Sequence, residues 1–159
     1  MKKILFWGTT LLVIIVVNFL IIKKENTITN GRTMLLRLAP VDPRSLIQGD
    51  YMVLRYTIAR EVSKTKLKSS GCIVVSLDEN DVAKFLRVHN GQDLKAGEHL
   101  LFYRNRGGLR LGAESFMFQE GDAQLYSNAR YGELKVDKLG KSVLIGLRSE
   151  EFKKLGKKY

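Results

Sequence analysis

Residues 4–22, ILFWGTTLLVIIVVNFLII, carry no charge, whereas apolar and polar positions interleave through most of the chain beyond residue 31. A helix of that uncharged length spans about 28 Å, close to the roughly 30 Å of a bilayer's hydrocarbon core. Lys2 and Lys3 bound it on one side and Lys23 and Lys24 on the other, where long basic side chains reach headgroups. Trp7 lies near one end, as an interfacial aromatic should. The apolar run exceeds that of a signal peptide and no small-x-small cleavage site follows, so a retained single-pass anchor is predicted. Residues 1–3 form a short basic tail, and long domains translocate largely regardless of charge. The bulk of the chain is therefore expected outside the cytoplasm.

Beyond the span, residues 23–31 contain the polar stretch ENTITNG and read as a short, turn-rich tether. Strand periodicity dominates residues 32–148. Met34, Leu36 and Leu38 share one parity, and so do Met52, Leu54, Tyr56 and Ile58, with Tyr51, Val53, Arg55 and Thr57 on the other face. Both prolines of the chain, Pro40 and Pro43, fall between these runs and make PVDPRS a stiff, non-helical loop. Residues 60–70 are polar and lysine-rich, as a solvated loop would be. Further strands are expected at 72–77, 82–88, 100–105, 109–118, 131–137 and 142–147, with turns at DEND, HNG and KLGK. Arg106-Gly107-Gly108 is a short hairpin signal, and Asp122 is placed to cap a brief helix through Ala129. Residues 149–159 read as one helical turn and then a basic tail. The pattern predicts a mainly β fold, an N-terminal transmembrane helix followed by a small antiparallel sandwich or barrel-like domain.

Composition narrows the chemistry. The chain has 159 residues and a net charge of +11, with one cysteine and two histidines. One cysteine excludes a disulfide framework and a Cys-based zinc site, and no metal or cofactor is expected. The basic charge has no nucleic-acid-binding motif beside it, so nucleic acid is disfavoured as a partner. The lysine and arginine clusters read first as solvated faces.

Gly49-Asp50-Tyr51-Met52-Val53-Leu54-Arg55-Tyr56 fits the pattern G-D-Y-x-x-L-x-Y, preceded by Asp42-Pro43-Arg44. On this string the chain resembles the GDYXXLXY family of membrane-anchored bacterial proteins. LAPVDPRSLIQGDY, LGAESFMFQEG and ARYGELKVDKLGKSVLIGL extend the resemblance over most of residues 32–147. The resemblance implies a domain on the periplasmic side of the inner membrane, beside a multi-spanning membrane-protein partner, and it implies no activity. Within the motif, Gly49 suits a turn into the strand. Asp50 can accept backbone N–H groups there, and Arg44 can pair with it or with Asp42. Leu54 and Tyr56 should face the core and Tyr51 should face away, with Asp42, Pro43, Arg44, Gly49, Asp50 and Tyr51 a candidate contact loop.

Catalytic readings lack parts. The Gly-Asp string is similar to one in bacterial signal peptidases, but Val41 stands where their serine would, and no lysine is marked as a base for Ser45. Cys72 opens the apolar run CIVVSL and reads as a packed residue rather than a nucleophile, with His89 and His99 in polar turns. Glu114 and Glu120 lie about 20 Å apart on an extended strand, too far for a glycosidase pair. A non-catalytic, membrane-anchored accessory domain is the expected function. The alternatives are a membrane-bound hydrolase of unfamiliar type and a cytoplasmic-facing basic domain that binds anionic lipid.

Overall fold

A computed structural model describes residues 2–39, 47–48 and 51–156. Helix α1 (Lys2–Asn30) contains the apolar span and is solvent-exposed along it, long and apolar enough to cross a membrane. The helix does not stop at the span. It continues through the stretch expected to be a turn-rich tether, because a formed helix propagates at one hydrogen bond per added residue. Polar side chains there bond within the helix: Thr27 Oγ1 donates to the Lys23 carbonyl at 3.2 Å and Asn30 Nδ2 to Asn26 Oδ1 at 2.6 Å. Gly31 then passes the chain directly into β1 (Arg32–Arg37). A Cβ at Gly31 would stand 2.2 Å from the Thr27 carbonyl oxygen and 3.1 Å from the Val136 backbone, so only glycine fits this junction.

Three open antiparallel sheets follow, and none closes into a barrel among the described residues. The first has the order β1–β9–β10, with β9 at Tyr131–Val136 and β10 at Ser142–Arg148. The second has the order β2–β3–β8, from Ile47–Gln48, Tyr51–Val53 and Ser115–Met117. The third has the order β5–β4–β6–β7, from Ala83–Val88, Ser70–Leu77, Glu98–Asn105 and Leu109–Arg110. Their inner faces share one sandwich-like core: Met34, Leu36 and Leu134 from the first, Met52 from the second, Ile73, Leu101 and Tyr103 from the third. Backbone bonds cross between sheets, Phe102 N–H to the Gly140 carbonyl and Leu35 N–H to the Asp81 carbonyl, both 2.8 Å.

The strand expected through Ile58 ends at Val53. Tyr56 makes an isolated bridge with Leu38, and helix α2 (Thr57–Val62) begins. The apolar spacing changes there from two to four, and Ile58 and Val62 are buried on one side of α2. The start of the supposed lysine-rich loop is thus helical. The strand expected at 109–118 is broken into β7 and β8 by the turn at 111–114. The brief helix is a single 3₁₀ turn, Ala123–Tyr126. The chain after β10 is no helical turn and, as far as Gly156, no free tail. Leu155 N–H bonds the Leu147 carbonyl at 2.9 Å, and the Leu155 side chain packs against the core.

Candidate functional site

β3 divides the motif by the alternation of a strand. Met52 is buried in the core and Leu54 with it, while Tyr51 is 39% exposed on the opposite face. Tyr56 is buried where three segments far apart in sequence meet. Its hydroxyl donates to the Ala113 carbonyl at 2.5 Å, and its ring lies where a Cβ on Gly132 would stand, 3.0 Å away. Burial, aided by the Glu114 charge, pushes the Tyr56 hydroxyl pKa upward, so it stays a hydrogen-bond donor. LGAES also serves this strand directly: Leu54 N–H donates to the Glu114 carbonyl at 2.7 Å, and β8 pairs with β3 with Tyr51 opposite Met117 and Val53 opposite Ser115. The Glu114 carboxylate accepts the backbone N–H groups of Leu111 and Gly112, which fixes the turn between β7 and β8.

The outward face of β3 therefore carries Tyr51, Val53 and, beyond the strand's end, Arg55. Met117, 81% exposed, lies beside Tyr51. This face runs into a cleft of about 420 Å³ between β3, α2 and the β6–β7 hairpin, where Val53, Arg55, Arg60, Arg110 and Ser115 contribute to the walls. A second cleft of about 710 Å³ adjoins it across Arg110 and Glu114 and adds Arg104 and Lys141. The Arg106-Gly107-Gly108 segment forms the predicted hairpin loop at one wall.

Of the residues singled out in the sequence, Tyr51, Leu54 and Tyr56 are brought together on β3 and its continuation. Asp42, Pro43, Arg44, Gly49 and Asp50 lie outside the described residues. Cys72 keeps its thiol: burial, then the Asp137 charge, raises its pKa, and Sγ lies 3.7 Å from the Leu139 carbonyl. Its backbone carbonyl accepts the His89 N–H at 2.9 Å, yet no thiol–imidazole hydrogen bond forms. His99 sits within β6 rather than in a turn. Glu114 is engaged in its own turn, away from any partnership with Glu120. Among the described residues, no three metal-ligating side chains converge.

Sequence reasoning missed the cleft. Its arginines are scattered from residue 55 to residue 110, and only the β6–β7 pairing and α2 gather them. The one signal available was the hairpin at 106–108, which returns Arg110 towards Arg104.

No curated protein and no solved structure matches the chain. A family model does match, over residues 13–147, a stretch that takes in about half of the apolar span, the three sheets but for Arg148, and the outward face of β3. The protein belongs to the GDYXXLXY protein family.

Proposed function

We propose that this protein is a non-catalytic binding domain held at the bacterial inner membrane by α1. It lies on the extracytoplasmic side and docks on a multi-spanning membrane protein. The contact surface is the outward face of β3 with the cleft beside it. The observation that carries this reading is the division of the motif. Leu54 and Tyr56 are spent on the core, while Tyr51, 39% exposed, stands with Val53 and Arg55 on the opposite face next to Met117. Tyrosine, methionine and arginine are the side chains enriched in protein interfaces. The junction at Gly31 supports it too, since a helix passing straight into β1 holds that face at a set height and angle to the bilayer.

A photo-crosslinking residue at position 51 or 117 of the full chain, in native membranes, should capture one multi-spanning membrane protein. The same residue at Glu79, in the β4–β5 turn, should capture little. Equal capture from all three positions, or none from 51 and 117, overturns the reading. A reporter fused after Tyr159 that works only when exported should be active, and a silent one reverses the topology.

A further inference from the structure

The described arginines fall into two sets. Arg32, Arg37, Arg87, Arg130 and Arg148 each have a carboxylate within 4.0 Å. Arg55, Arg60, Arg104, Arg106 and Arg110 have none among the described residues. Four of the second set line the two joined clefts, and Arg106 adjoins the loop glycines that wall the first. Among the described residues, the one carboxylate in those walls, Glu114, is turned to backbone N–H groups instead. Arg104 and Arg110 are also direct cross-strand partners in the β6–β7 ladder. Like charges placed opposite one another destabilise a sheet by some tenths of a kcal/mol. Five arginines elsewhere have carboxylates, whereas this opposed pair has none among the described residues and lines a cleft.

From this clustering we infer that the joined clefts bind an acidic protein segment, rich in Asp or Glu, which threads between α2 and the β6–β7 hairpin. Guanidinium groups take carboxylates in forked, two-bond geometry, and a row of them suits a chain of carboxylates better than a single small anion. Val53, Leu109 and Phe102 add apolar wall between the charges, as a peptide backbone and its side-chain stems require. The segment belongs to the docking partner proposed above, so the inference rests on that reading. It adds the chemistry of the partner's contact.

The test uses the full chain in nanodiscs of neutral lipid, with a fluorescein-labelled oligoglutamate peptide followed by anisotropy. The double variant Arg104→Gln with Arg110→Gln should weaken peptide binding at least about tenfold, the loss expected for removing charged hydrogen bonds. Its unfolding midpoint should hold or rise, because the opposed charges are gone. Arg37→Gln with Arg130→Gln removes the same charge from the paired set and should leave binding within about twofold, since exposed pairs contribute little. Equal losses in both double variants, or no peptide binding by the wild type, overturn the inference. So does binding to phosphatidylglycerol vesicles that needs Arg104 and Arg110 while oligoglutamate is ignored. Crosslinking from position 51 separates the two claims. A captured partner with no oligoglutamate binding removes only the acidic chemistry, whereas peptide binding with no captured partner removes only the docking.

Discussion

Two regions of this domain use arginine in opposite ways. On the outer face of the β1–β9–β10 sheet, Arg148 holds Glu133 through two bonds, Nε to Oε2 at 3.0 Å and a terminal nitrogen to Oε1 at 2.7 Å. Its remaining nitrogen donates to the Phe152 carbonyl at 2.9 Å. The Phe152 ring rests on Tyr131, with ring centres 5.1 Å apart, and Arg37 lies 5.8 Å from the centre of the same tyrosine ring while pairing with Glu150. Arg37, Arg130 and Arg148 are each answered from within, and the C-terminal segment is stitched down by the result. Around the β6–β7 hairpin, the same residue type stands with no carboxylate opposite among the described residues. The difference teaches that charge balance, rather than charge count, separates the arginines that close the C-terminal segment from those that line the cleft.

The sharpest way to break the comparison is to unbalance the closed region. Glu133 is buried, so Glu133→Ala leaves Arg148 charged and unanswered. A loss of about 3 kcal/mol is expected, towards the lower end for a broken buried pair because Arg148 is partly exposed. Chemical unfolding of the detergent-solubilised chain measures it, and a loss below about 1 kcal/mol would place this pair among ordinary surface bridges.

Packing gives the next effect. Gly132 lies on the inner side of the same sheet, where a Cβ would press on the Tyr56 ring. Gly132→Val should cost about 2 kcal/mol through overpacking, read as a lowered unfolding midpoint. Tyr56→Phe removes only the bond to Ala113 and should cost about 1 kcal/mol.

Acid offers a milder probe. The Arg87 guanidinium, then the Lys95 backbone N–H, lowers the Glu98 carboxyl from an ordinary 4.5 to about 2. A folded-state pKa below the unfolded one gives stability that is complete above about pH 4.5 and is lost as pH falls towards 2. Wild type should therefore be more stable than Glu98→Gln at neutral pH, with the gap closing over that window. A gap that persists unchanged at pH 2 would show that the pair does not titrate this way.

The smallest change belongs to the open region. Tyr51→Ala should shift stability by no more than about 0.5 kcal/mol, since Tyr51 faces outward. It should still reduce crosslinking from position 117. A large loss of stability would move Tyr51 from the contact surface into the structural set.

Much of the fold was legible because alternation dictates burial. The parity of Met52, Leu54 and Tyr56 placed all three inside, and that of Tyr51 placed it outside. The helix at α2 was not, since Ile58 keeps the parity of the strand before it and only Val62, four residues later, reveals the new period. The stretch 25–30 was misread because Asn and Thr favour turns in isolation, yet here they extend a helix already formed. The closing of the C-terminal segment depends on Leu155 finding the core, a contact between distant residues that no local pattern announces. The cleft was hidden for the same reason. Whether an arginine is paired is a property of three-dimensional neighbours, and Arg104 and Arg110 look no different in sequence from Arg130 and Arg148.

The passage from α1 into β1 through Gly31 has a mechanical consequence. The last eight residues of the helix, about 12 Å of rise beyond the apolar span, form a shaft without a slack segment before the domain. Turning the helix about its axis turns the domain by the same angle. Under the proposed anchoring, a neighbour that grips one side of α1 would thereby set the compass bearing of Tyr51 and the arginine cleft. On the proposed reading, diffusion in the plane of the bilayer, plus one rotation, would be the whole search required to bring the two surfaces into register.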